Sequence, residues 1–134
     1  VMYLLDTNVC VIYLNNRSLV LRQRLERIPI KDIAVCSVVK GELFYGALRS
    51  NNTQRSLERQ QAFLNQFVSL PFDDEAATVY ARIRAELAGR GTPIGANDLQ
   101  IAAIALANNL ILVTHNTREF SRVDGLKIED WEVE

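Results

Sequence analysis

Four carboxylates stand where a chain of this kind can do chemistry with them. Asp6 ends the apolar run of MYLLDTN, Glu42 sits inside SVVKGELFYGA, Asp98 opens DLQIAAIALA, and Glu119 lies in VTHNTREF. Oxygen ligands of this type, without histidine or cysteine among them, select a hard divalent cation, Mg²⁺ or Mn²⁺. Such a cation supports phosphoryl chemistry, because it generates a nucleophile from water and stabilises charge on phosphate oxygens.

Each acid has a plainer role open to it. Asp6 can cap a helix, although Thr7 and Asn8 can do the same. Glu42 can sit at the edge of an amphipathic face and pair with Lys40 or Arg49. Asp98 at a helix start is favoured by the helix dipole. In the fourth position Asn116 lies nearer the end of a strand than Glu119, and either reaches a common pocket. Taken together the acids say more, because most lie just after a strand or at a helix start. That is the edge where open α/β sheets hold their ligands.

The elements that must position them follow from the pattern. Strands are expected over 2–6, 32–36, 68–72, 110–114 and 126–128, and helices over 9–14, 18–27, 37–49, 53–67, 75–88, 98–109 and 117–120. Ser37 is placed to cap the third helix, and Asn97 with Gln100 resembles a capping box ahead of Asp98. Pro71 marks the third strand as an edge, and the aliphatic LILVT reads as a parallel strand covered on both faces. Gly41 and Gly46 cost helix stability, about 1 kcal/mol each, and suggest close packing against a neighbouring backbone. Strands separated by helices imply parallel pairing and an α/β sandwich.

The 134 residues fit one domain, 1–134, with 49% hydrophobic and 23% charged residues, which argues against disorder. Cys10 and Cys36 stand singly in apolar runs and read as buried free thiols, so a zinc-thiolate site is not expected. His115, the single histidine, reads as a surface or supporting residue and stays outside the catalytic set. No apolar run reaches the roughly 18–20 residues of a membrane span, and no signal peptide is visible, so a cytoplasmic protein is expected.

Net charge is −1 overall, but residues 1–60 carry +4 and residues 61–134 carry −5. Such a polarity can give a basic rim beside an acidic pocket, with Arg17, Arg22, Arg24, Arg27, Lys40, Arg49 and Arg118 as candidates for salt-dependent phosphate contacts.

Five stretches, LLDTN, SVVKGELFYGA, GTPIGANDLQIAAIAL, VTHNTREF and GLKIEDW, together resemble the PIN-domain ribonucleases, specifically the VapC toxins of bacterial toxin–antitoxin pairs. The resemblance implies a PIN-like three-layer sandwich, with a mostly parallel central sheet of four to five strands flanked by helices. It implies that Asp6, Glu42, Asp98 and Glu119 bind metal and catalyse, with Thr7, Thr114 and Asn116 supporting them. The family commonly has an asparagine where this chain has His115. It further implies a Mg²⁺-dependent endoribonuclease, with Mn²⁺ as substitute, that leaves 5′-phosphate and 3′-hydroxyl ends, forms a homodimer and is silenced by a VapB-type antitoxin. The VTxNTREF and GLxxEDW stretches resemble the branch that cuts initiator tRNA in its anticodon loop. The competing reading is a catalytically silent PIN-fold module acting through dimer or antitoxin binding. A receiver domain or an aspartate-nucleophile phosphatase fits worse, since each needs a second acid close to Asp6, and Asn8 stands there instead.

Overall fold

A computed structural model describes residues 1–133. Its elements in chain order are β1 (Tyr3–Leu5), α1 (Thr7–Leu14), α2 (Leu19–Arg27), a 3-10 turn at Ile30–Asp32, β2 (Ile33–Cys36) and α3 (Ser37–Leu48). There follow α4 (Thr53–Leu64), β3 (Val68–Leu70), α5 (Asp74–Gly89), α6 (Ala96–Ala107), β4 (Ile111–Val113), α7 (Thr117–Phe120) and β5 (Ile128–Glu129). The five strands form one sheet in the order β3-β2-β1-β4-β5, and every pairing is parallel.

This order decides where a site can form. From β1 the chain builds outward through β2 to β3, then returns to the other side of β1 for β4 and β5. The reversal opens a crevice between β1 and β4 at their carboxyl ends. Asp6 leaves β1 there and Thr114 leaves β4, with Leu5 in register with Val113.

Apolar runs explain the rest. Leu4, Leu5, the whole of β2, Leu112 and Val113 are buried, as a sheet covered on both faces requires. Helix α6 buries Ile101, Ala102, Ala103, Ile104 and Ala105 in succession, and its alanines let it lie close to its neighbours. Cys10 and Cys36 are buried free thiols. Among the described residues no helix is long and apolar enough to cross a membrane.

Several boundaries differ from the sequence expectation for local reasons. Asp6 itself caps α1, accepting from Val9 N at 2.9 Å, so Thr7 and Asn8 do not. Cys36 occupies the cap position of α3, and Ser37 is its first residue. Helix α6 starts at Ala96 behind Gly95, so Asn97 lies inside the helix and Asp98 is its third residue. Helix α4 stops at Leu64, three residues early. The last strand starts two residues later and ends one later, because Gly125 adopts φ +83° and Leu126 N closes a turn onto Val123 O. The close packing expected at Gly41 and Gly46 is absent: a Cβ at either would meet nothing within 4 Å.

Candidate active site

Asp6 is the most confined of the four acids, with 4% of its surface exposed. Besides the Val9 amide, which donates to it, the Thr114 hydroxyl lies close enough to favour its charged form. Thr114 is fully buried, and its oxygen accepts from Asn116 N at 3.0 Å. Thr114 thus stands between the Asn116 backbone and Asp6. Burial pushes the Asp6 carboxyl up to about 6, against those hydrogen bonds and with help from the charges of Asp98 and Glu132.

Glu42 is presented by the second turn of α3. Its Oε1 accepts from the Thr7 hydroxyl at 2.6 Å, so the residue after Asp6 holds the next acid in place. Asp98 reaches the crevice from the first turn of α6. Its carboxyl also lies above the usual range, first through burial and then through the negative charges of Glu42 and Glu119. Glu119, on α7, accepts from Asn116 Nδ2 at 2.8 Å. Asn116 and Glu119 thus form a hydrogen-bonded pair, with the amide supporting the acid.

Asp6, Glu42, Asp98 and Glu119 converge without a cation to offset them: none takes part in a salt bridge among the described residues. No three of them bring ligand atoms within 4.8 Å of one another, a spacing reached only by His115, Asp130 and Glu132 among the described residues. The donor set still suits a hard divalent ion, since it is all oxygen, partly buried and uncompensated. Beside Glu42 a cleft of about 340 Å³ opens, lined by Ser37, Val38, Gly41, Tyr45, Asn97 and Gln100. Gly41 keeps that wall free of a side chain. A second groove of about 320 Å³, apolar and lined by Tyr80, Leu87, Ile94 and Leu99 among others, contains none of the acids.

The basic candidates divide. Arg22 bonds to Asn16 Oδ1 at 2.8 Å and Glu26 at 3.3 Å and stacks on Tyr13. Arg24 reaches Glu129 at 3.7 Å and the Asp130 carbonyl at 3.4 Å. Arg27 bonds to the Gln23 carbonyl, and Arg49 lies over Tyr45. Arg17, Lys40 and Arg118 make no side-chain hydrogen bond or ion pair with the described residues. The structure also places Asp130 and Glu132 near the crevice, which the sequence did not single out; nothing in the acidic tail distinguishes them from solvated charges.

A family model described as "PIN domain" matches residues 3–126. The chain belongs to the PIN-domain family. Within it, the chain falls in the VapC toxin branch. It is 42% identical over 129 residues to the "tRNA(fMet)-specific endonuclease VapC" of Shigella flexneri, covering 96% of this chain and 97% of that protein. "Ribonuclease VapC2" of Haemophilus influenzae is 37% identical over the same shares. Among solved structures, DNA-bound VapBC from Salmonella typhimurium superposes with a TM-score of 0.93 at 37% identity, covering 98% of each chain. VapBC2 from Rickettsia felis, bound to a promoter DNA fragment, superposes with a TM-score of 0.89 at 34% identity, covering 98% of this chain and 99% of that one. The VapC fold is the α/β sandwich expected, with a five-stranded sheet that is parallel throughout. The chain is a ribonuclease of the VapC toxin type, from a metal-dependent family.

Proposed function

We propose that this PIN domain, spanning residues 1–134, is a Mg²⁺-dependent endoribonuclease that cuts tRNA in the anticodon loop, with initiator tRNA as the favoured substrate. Convergence of Asp6, Glu42, Asp98 and Glu119 on one crevice without an offsetting cation carries the reading. Names of relatives specific for tRNA(fMet) support the choice of substrate. Solved VapBC complexes support a VapB-type antitoxin as partner. Homodimer formation and a cytoplasmic location belong to the same reading.

In this account the four acids hold the cation, and Mn²⁺ substitutes for Mg²⁺. Bound there, the ion would polarise a water nucleophile and place positive charge opposite the phosphoryl oxygens. The chain's own contribution is orientation. Thr7 holds Glu42, the Thr114 hydroxyl favours the charged form of Asp6, and Asn116 holds Glu119. RNA approaches along the cleft beside Glu42; Lys40, Arg118 and Arg17, whose side chains make no bond among the described residues, are the candidates to meet phosphates, and Arg49, Arg22, Arg24 and Arg27 contribute less because each is already engaged.

The test is incubation of purified protein with total tRNA, with Mg²⁺ or with EDTA, followed by sequencing of the ends produced. The reading expects cuts with 5′-phosphate ends in an anticodon loop, lost with EDTA. Absence of cleavage by the wild-type protein, or cleavage equally strong in EDTA, overturns it.

A further inference from the structure

His115, Asp130 and Glu132 are the one group among the described residues whose ligand atoms all lie within 4.8 Å of one another. They come from three places: the loop after β4, the residue after β5, and the acidic tail. We propose that these three side chains form a second cation site, beside the four acids but made of other ligands, that takes a borderline first-row divalent metal such as Zn²⁺.

Geometry is the first support. His115 Nδ1 lies 2.9 Å from Asp130 Oδ2 and 3.7 Å from Glu132 Oε2. Ligands at the usual 2.0–2.1 Å from a tetrahedral zinc are separated by about 3.3 Å, so the observed distances bracket the spacing needed. The Asp130 and Glu132 oxygens lie within 4.8 Å of each other. Chemistry is the second support. One imidazole nitrogen and two carboxylate oxygens suit Zn²⁺ and its neighbours, whereas an imidazole ligand disfavours Mg²⁺.

The frame around the site is fixed. Asp130 Oδ1 accepts from Glu132 N at 2.9 Å, which orients the other oxygen towards His115. Trp131, between the two acids, is 1% exposed and donates to Glu129 at 2.9 Å. Arg24 donates to the carbonyls of Asp130 and Val133, pinning the segment from outside. The two carboxylates are held largely out of water, at 15% and 18% exposure, while His115 is 60% exposed and leaves an approach from solvent. The nearest cationic group to either acid is the imidazole itself, and in exchanging that contact for a metal the site replaces a titratable partner with a permanent charge.

A metal here links the acidic tail to the loop after β4. That loop continues directly into Asn116, whose amide holds Glu119. Occupancy therefore stiffens the support of one of the four acids, and the site itself does not depend on those acids binding Mg²⁺.

Because His115 is the only histidine, its imidazole NMR signals in tag-free full-length protein report on metal bound at or beside this site, and Asp98→Asn separates the two. Zn²⁺ titration is expected to shift them to saturation at one equivalent, with Mg²⁺ leaving them in place. The Asp98→Asn variant, which disables the four-acid crevice, is expected to give the same curve. Asp130→Asn and Glu132→Gln, made separately, are each expected to weaken Zn²⁺ binding by about tenfold or more, since loss of even an outer partner costs a metal site about 10–100-fold. Unchanged imidazole signals at excess Zn²⁺ overturn the proposal, as does wild-type binding in both carboxylate variants. Loss of the response in Asp98→Asn assigns the Zn²⁺ to the four acids and overturns it too.

Discussion

The Thr7 hydroxyl donates a 2.6 Å hydrogen bond to Glu42 Oε1 across 35 residues of sequence, and so ties the start of α1 to the second turn of α3. Asp6, one residue earlier, is therefore set beside an acid whose position its own neighbour controls. Valine at position 7 keeps the packing and removes the donor. Thr7→Val is expected to lower cleavage by about 10–100-fold and to raise the Mg²⁺ concentration for half-maximal rate. Metal titration of single-turnover cleavage measures both.

Asp6 is an acid kept in a place that disfavours its charge. Its folded-state pKa of about 6 lies above the ordinary 3.8, so the folded chain binds more protons than the unfolded one between those values. Stability is thus lost as pH rises from about 4 to 6, and the full penalty persists above 6. At 1.36 kcal/mol per pH unit the penalty is about 3 kcal/mol. In EDTA, Asp6→Asn is expected to melt above the wild type at pH 7.5, with the advantage gone near pH 4. Thermal melts across that range check the sign, and added Mg²⁺ is expected to stabilise the wild type more than the variant.

Asn116 and Glu119 form one unit through their 2.8 Å hydrogen bond. Asn116→Ala and Glu119→Gln are expected to be non-additive, the double variant losing little more activity than the worse single one. A double-mutant cycle on the cleavage rate measures the coupling, and full additivity contradicts it.

The basic side chains separate by what they already touch. Neutralising Lys40 and Arg118, which have no partner among the described residues, is expected to weaken tRNA binding. The salt slope then falls by about 0.7 for each phosphate left without its cation. Neutralising Arg22 and Arg24, bound to Asn16, Glu26 and Glu129, is expected to lower the melting temperature and change the slope less. Binding measured at several salt concentrations, beside thermal melts, resolves the two groups.

Much of the architecture is legible in the residues. Apolar runs ending in Asp6 and Thr114 set two adjacent strands, and helical periodicity supplies the crossovers that force the sheet to be parallel. Local chemistry is less legible. Asp6 serves as cap and as pocket acid together, because the first turn of α1 leaves the Val9 amide free and Asp6 is nearest. The start of α6 is obscured because Asn97 resembles a cap, whereas Gly95 takes the extended conformation that begins the helix. At Gly41 the missing side chain opens a cleft rather than admitting a backbone. Partners across the chain are less legible: the resemblance implies Thr7 as a supporting hydroxyl and adjacency suggests Asp6 as its acid, but Thr7 holds Glu42, and His115 meets Asp130, because of which strand ends meet.

The most direct measurement is single-turnover cleavage of initiator tRNA by wild type, Asp6→Asn and Asp98→Asn over a range of Mg²⁺ concentrations. The account predicts Mg²⁺-dependent cutting by the wild type and a fall of about 100-fold or more in each variant that retains the folded structure. Cleavage by either variant at the wild-type rate, with the same Mg²⁺ dependence, contradicts the assignment of these acids to the reaction.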